Sequence, residues 1–285
     1  MFAAGVAGST STKLKFRLVG GGQPLLLLPV RVNGRGPFEF ILDTGAGITL
    51  VTPELAAKVG IGATGAREGH SAGGKVSVSL AELESIEVGS VRREQLQVGI
   101  LDLGQIARTI GSNVDGDLGY NFLQHFRLRL DYRRNELRLD DPKKFEFIEA
   151  SPLTELPIRL AAPAKPIIVV ETFINGSGPF NFAIDTGTST SAISAELSEH
   201  LGLQTTPIGP VTTGGAPLNL AAGRVGSMQI GGARLADVAV VIGPFLALLS
   251  QAAETKLDGI VGHNFLKNFQ VMIDYPNLKL SLFAA

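Results

Sequence analysis

The sequence predicts an all-β protein of two similar lobes, and three observations carry that prediction. Residues Asn33 to Gly45 (NGRGPFEFILDTG) recur as Asn175 to Gly187 (NGSGPFNFAIDTG), nine of thirteen positions being identical at an offset of 142. Residues Asp115 to Tyr132 (DGDLGYNFLQHFRLRLDY) recur as Asp258 to Tyr275 (DGIVGHNFLKNFQVMIDY), with nine of eighteen identical at an offset of 143. Between these landmarks, most segments are short apolar runs broken by glycine-bearing turns, the pattern of strands joined by tight connections. A period near 142 residues is too long for a solenoid and fits a duplicated domain.

In order, residues 1–13 are small and polar and read as a flexible tail. Leu14 to Val19 alternates as a strand, Gly20-Gly21-Gly22 turns, and Leu25 to Val32 is the next strand. Asn33-Gly34 is a hairpin signal, so Phe38 to Leu42 returns as a buried strand that delivers Asp43 at its end. After a short apolar run to Val51, Thr52-Pro53-Glu54 reads as a helix cap with proline at the first turn, and Gly60 ends a helix near 53–59. Ser194 and Gly202 bracket its counterpart at Glu196 to Leu201.

Gly69 to Gly74 and Val211 to Gly215 each lie about thirty residues beyond an Asp-Thr-Gly and read as glycine-tipped hairpins. Strands are expected at Glu84 to Val88, Gln95 to Ile100, Arg224 to Ile230 and Val238 to Ile242, with weaker helical stretches at Ile106 and at Phe245 to Ala253. Asp115-Gly116 and Asp258-Gly259 read as ordinary turns. Helical turns follow at Asn121 to Phe126 and Asn264 to Phe269, and Arg133-Arg134 reads as a solvated hairpin tip. The expected organisation is an N-terminal lobe over 14–145, a linker over 146–155 and a C-terminal lobe over 156–285.

Composition narrows the chemistry. The chain has 285 residues, 45% hydrophobic and 18% charged, with 35 glycines and 15 prolines, which suits a turn-rich globular protein. Net charge is −1 with scattered Lys and Arg, so a phosphate-binding surface lacks electrostatic support and nucleic acid is not an expected partner. The absence of cysteine removes disulfides and thiol catalysis together. The longest apolar run, Pro24 to Val30, is too short to span a bilayer. The first residues do not read as a signal peptide, though a periplasmic or secreted location fits if an N-terminal segment was removed. His70, His125, His200 and His263 are dispersed without ligand-like spacing and read as structural or surface residues, and no metal or cofactor is expected.

What remains is one acid per repeat, Asp43 and Asp185, each at the end of an apolar strand. Two carboxyls a few ångströms apart share a proton, so one can act as base while the other acts as acid. That arrangement can activate a water and protonate an amide carbonyl. Gly45 and Gly187 allow backbone to approach the carboxyls, and Thr44 and Thr186 place hydroxyls where they can bond across to the opposite loop.

These residues resemble the pepsin-like and retropepsin-like aspartic proteases, in the two-lobed, single-chain bacterial form. Both Asp-Thr-Gly loops match, as do the apolar turns behind them, Leu118-Gly119 and Ile260-Val261-Gly262; the resemblance covers roughly 14–283. It implies an aspartic endopeptidase with Asp43 and Asp185 as catalytic acids and an extended peptide held between lobes under flaps at Gly73-Gly74 and Gly214-Gly215. It also implies inhibition by statine-type transition-state mimics. A single chain with both half-sites needs no dimer. The flap tyrosine of pepsin-like enzymes has no counterpart, the tyrosines being Tyr120, Tyr132 and Tyr275. A non-catalytic peptide-binding scaffold and a narrow processing protease are the rival readings.

Two asymmetries stand out. Asp117 occupies the place of Ile260, either buried as a third acid or, the reading the sequence favours, facing solvent. Thr188 follows the second motif where Ala46 follows the first. A Thr188 hydroxyl donating to Asp185 would favour its charged form, so the expectation is that Asp185 carries the charge and Asp43 the shared proton.

Overall fold

The computed structural model describes residues 11–71, 74–141, 143, 151–162, 165–211 and 218–285. It confirms the duplicated all-β architecture. The first half runs β1 (Ser11–Lys15), β2 (Arg17–Val19), β3 (Leu25–Val32), β4 (Arg35–Leu42), β5 (Leu50–Val51) and α1 (Pro53–Val59). It continues through β6 (Gly65–Ser71), β7 (Gly74–Val88), β8 (Val91–Ile100), α2 (Gly104–Ile110), β9 (Gly116–Leu118), α3 (Tyr120–Leu123), β10 (Arg127–Asp131) and β11 (Glu136–Asp140). The second half repeats the plan. Its elements are β12 (Thr154–Pro157), β13 (Arg159–Ala162), β14 (Lys165–Ile174), β15 (Ser177–Ile184), β16 (Ala192–Ser194), α4 (Ala195–His200), β17 (Thr205–Val211) and β18 (Leu218–Ile230). They close with β19 (Ala233–Gly243), α5 (Phe245–Ala252), β20 (Gly259–Val261), α6 (His263–Leu266), β21 (Phe269–Asp274) and β22 (Lys279–Ala284).

Each lobe owns an eight-stranded sheet, ordered β2-β3-β4-β9-β5-β8-β7-β6 and β13-β14-β15-β20-β16-β19-β18-β17. A third sheet of six strands, β1-β11-β10-β21-β22-β12, takes three strands from each half. At its centre β10 and β21 pair antiparallel, with Arg127 opposite Asp274 and Arg129 opposite Met272. Arg129 and Met272 are equivalent positions in the two halves at the offset of 143, so the local two-fold axis passes between them.

Local chemistry explains the elements. Asn33 and Gly34, and Asn175 and Gly176, all have positive φ, the hairpin turn that the Asn-Gly pairs signalled. The Thr52 hydroxyl accepts from Leu55 N–H and caps α1, and Ser194 accepts from Leu197 N–H and caps α4. The expected strand from Leu14 to Val19 is divided at Phe16, which is buried while the chain passes from the shared sheet into the lobe sheet. Residues 11–13, read as part of a tail, belong to the edge strand β1. The two Asp-Gly pairs are not turns. Gly116 and Gly259 begin β9 and β20, where a Cβ would fall 2.3 Å from the Phe40 ring and 2.2 Å from the Phe182 ring. The flanking Asp115 and Asp258 accept from the backbone N–H groups of Glu39 and Asn181.

The main core runs continuously through both lobes, with Phe40 and Phe122 facing the same role as Phe182 and Phe265. Two satellite clusters cover the opposite faces of the site strands. One gathers Leu25, Leu27, Ile41, Leu103, Ile110 and Val114 under α2, and the other gathers Ile167, Val169, Ala183, Phe245, Leu246 and Ile260 under α5.

Candidate active site

The site forms where β4 and β15 end. In each lobe the short strand β9 or β20 slips between the hairpin strand and the strand after the loop, parallel to the first and antiparallel to the second. The N–H of Asp43 donates to Leu118 O and that of Asp185 to Val261 O, both at 3.1 Å. Both loops therefore hang from equivalent anchors.

The loops then grip one another. The Thr44 hydroxyl donates to Ile184 O at 2.9 Å and accepts from Thr186 N–H at 3.0 Å. The Thr186 hydroxyl donates to Leu42 O at 2.7 Å and accepts from Thr44 N–H at 3.1 Å. Thr44 is 1% exposed and Thr186 2%, so all four bonds lie out of water. The glycines show how close the loops come. A Cβ on Gly45 would lie 2.7 Å from Oδ2 of Asp185, and one on Gly187 would lie 2.6 Å from Cγ of Asp43. Each glycine thus abuts the acid of the other lobe.

The carboxyls are held unequally. Oδ1 of Asp43 accepts from Gly45 N–H at 2.7 Å and Ala46 N–H at 3.1 Å. Oδ1 of Asp185 accepts from Gly187 N–H at 2.8 Å, and its Oδ2 accepts from the Thr188 hydroxyl at 2.7 Å. The Thr188 bond foreseen from sequence is present. Burial, and next the charge of Asp43, push Asp185 up to about 8; the Thr188 hydroxyl and the Gly187 N–H oppose that only in part. Asp185 therefore holds a proton more tightly than a free carboxyl does. Ala46, which has no hydroxyl to match that of Thr188, offers Asp43 its backbone N–H.

Asp117 is buried, against the expectation that it faces solvent, and only 6% of it is exposed. On β9 it lies beside Ile41 of β4, a member of the apolar cluster under α2, and Leu50 of β5, which packs against that cluster. Period-two alternation places it on the face opposite Leu118, and that face is covered by a helix instead of water. Its carboxyl is within hydrogen-bond reach of Asp43, while its Oδ1 is buried without a partner. Burial first, then the charge of Asp43, raises its pKa well above the usual carboxylate range.

A second tier, which reasoning from the sequence missed, fixes the loops from behind. Asn121 Oδ1 accepts from Thr49 N–H, and the Thr49 hydroxyl accepts from Gly119 N–H. Asn264 Oδ1 accepts from Ser191 N–H, and the Ser191 hydroxyl accepts from Gly262 N–H. Tyr120 N–H and His263 N–H donate to Ala46 O and Thr188 O, both at 2.8 Å. The signal was present, since both asparagines are among the identical positions of the second repeat. Tyr132 and Tyr275 are buried with unpartnered hydroxyls, and each has its pKa raised by burial and then by the nearby carboxylates.

The hairpin of β6 and β7 closes with Ser71 opposite Gly74, and Gly74 has a φ of +114°. Gly73, Gly214 and Gly215 lie outside the described residues; β17 and β18 pair up to Val211 opposite Leu218. His263 is buried edge-on against Tyr132, and His125 and His200 are exposed. Among the described residues no cluster of metal-ligating side chains is found, and no helix is long and apolar enough to cross a membrane.

A duplicated β lobe that presents one loop acid per copy across a two-fold axis defines the acid-protease fold. The crystal structure of an aspartic proteinase from Irpex lacteus shares it: TM-score 0.57, 15% identity, with 96% of this chain and 97% of that one covered. The family model described as aspartyl protease matches residues 28–122 and 170–265. The chain belongs to the aspartyl protease family. No curated protein sequence matches it.

Proposed function

We propose that this chain is an aspartic endopeptidase, with Asp43 and Asp185 as its two catalytic carboxyls and one supplied by each lobe, over 14–145 and 156–285. One observation carries the reading: each Asp-Thr-Gly glycine lies against the opposite lobe's aspartate, behind four buried threonine bonds. Binding alone would not require two acids held this close.

Asp185 holds the proton and Asp43 is the base. A water between them gives a proton to Asp43 as its oxygen attacks the scissile carbonyl carbon, and Asp185 gives its proton to the carbonyl oxygen. The resulting gem-diol collapses when Asp43 passes its proton to the amide nitrogen and Asp185 recovers one from a diol hydroxyl. The C–N bond breaks and both acids return to their starting states. Thr44, Gly45, Thr186, Gly187 and Thr188 support the pair. The substrate lies extended between lobes, bonded through its backbone by the β6–β7 and β17–β18 hairpins. The packing of α5 from the second lobe against β6 supports the first hairpin's place over the site. One chain suffices for a complete site.

The test is cleavage of a peptide library at acid and neutral pH by wild type and by Asp43→Asn. Cleavage by wild type alone is expected. Equal cleavage by both would refute the assignment, and none by either would favour a peptide-binding scaffold.

A further inference from the structure

Beyond the exchange of Ala46 for Thr188, the two halves of the site differ at one further place behind the acids. Where the second lobe has Ile260, packed against Ala183 and Ala192 in the cluster under α5, the first has Asp117 against Ile41 and Leu50. An acid in that apolar setting calls for an explanation, since a buried carboxyl without compensation is costly. Its surroundings provide compensation on one side only. One oxygen reaches Asp43, and the other, Oδ1, meets nothing. The charge acting on it most is that of Asp43, and no cation acts on it among the described residues to balance a second negative charge. The other titratable groups facing the pair are the phenols of Tyr132 and Tyr275, both neutral. A carboxyl so placed is stable only as a neutral acid, and a neutral acid beside a carboxylate is a donor.

Asp43 then accepts from four directions: the N–H groups of Gly45 and Ala46, the carboxyl of Asp117 and the carboxyl of Asp185. Asp185 has no counterpart to Asp117, because Ile260 cannot donate. We propose that Asp117 is a positioning residue of the site, a neutral acid whose hydrogen bond to Asp43 fixes Asp43 as the group that takes the proton from water. The divergence of one residue in a duplicated frame thereby gives the two acids different roles.

The kinetic arm of the test rests on the peptidase reading; the spectroscopic arm does not. Wild type, Asp117→Ile and Asp117→Asn are compared by pH–rate profile on a cleaved library peptide. Isoleucine copies the other lobe and removes the donor, so the acidic limb should rise by about one pH unit, the scale expected for one hydrogen bond to a charged group. Asparagine cannot ionise but still donates, so it should leave the limb near its wild-type position. A downward move in both variants would show that Asp117 is ionised and acts as a charge, overturning the proposal; no move in either would overturn it equally. Independently of activity, carbon-13 NMR of aspartate carboxyls in the wild-type chain should show the Asp117 signal, assigned by its loss in Asp117→Asn, in the protonated position at neutral pH. A signal that titrates in the ordinary carboxylate range would refute the proposal even if no peptide is cleaved.

Discussion

Replacing Gly187 with alanine isolates the contact on which the paired site depends. Gly187 has no positive φ, so alanine meets no backbone penalty there, and the whole effect comes from the added methyl. That methyl would lie 2.7 Å from Oδ2 and 2.8 Å from Oδ1 of Asp43, while ordinary contact begins at 3.4 Å. The Asp43 carboxyl, or the loop, must therefore give way by about 0.7 Å. Overpacking of this kind costs about 1–3 kcal/mol of stability, and a displacement approaching 1 Å at reacting groups lowers turnover on the order of 100-fold. The assay is kcat/KM on a library-derived fluorogenic peptide, with thermal denaturation to confirm folding. Gly62→Ala is the control, since a Cβ there meets nothing within 4 Å and no positive φ is involved. A folded Gly187→Ala protein within about threefold of wild-type activity would refute the view that this contact sets the spacing of the acids.

Other expectations follow from the same geometry. Thr186→Val strands the Leu42 carbonyl and the Thr44 N–H in a buried place, so urea denaturation should register a loss of about 3 kcal/mol, which Thr186→Ser should largely recover. Asp185, raised to about 8, binds its proton more tightly folded than unfolded, so its contribution to stability is complete below about pH 4 and fades as pH rises to about 8. Asp185→Asn should remove that downward slope from a plot of Tm against pH; an identical slope would contradict the burial argument. His263, lowered to about 4 by burial and next by Lys267, acts in the opposite sense. The unfolded chain takes up its proton first, so stability falls as pH drops from about 6.5 to 4. His263→Tyr, copying Tyr120 of the other lobe, should abolish this loss, and a variant as acid-sensitive as wild type would count against it.

The sequence was most informative where a local rule and the repeat agreed. Asn33-Gly34 and Asn175-Gly176 made the hairpins that deliver Asp43 and Asp185, and Thr52-Pro53-Glu54 marked the start of α1 to the residue. It misled where distant packing decides. Gly116 and Gly259 look like turn residues, yet they are glycines because the rings of Phe40 and Phe182, some 76 residues away in sequence, occupy the space of their side chains. Asp117 looks like a surface acid because alternation identifies the face opposite the core but not the helix that covers it. Asn121 and Asn264 passed as helical-turn residues, since their bonds to Thr49 and Ser191 span more than seventy positions.

The pairing of β10 with β21 has a consequence for assembly. If a first lobe met a copy of itself in the register that it now uses with the second, Arg127 would face Asp131, a favourable match. Arg129, however, would face another Arg129 on the axis, and like charges directly opposed across antiparallel strands repel. In the intact chain that place is taken by Met272, and Arg129 turns its guanidinium to Gln270 at 2.6 Å. Exchanging one arginine for methionine at a single mirrored position therefore favours a second lobe over another first lobe as the partner across the seam. The seam thus selects unlike halves, and two first lobes pair there at a disadvantage.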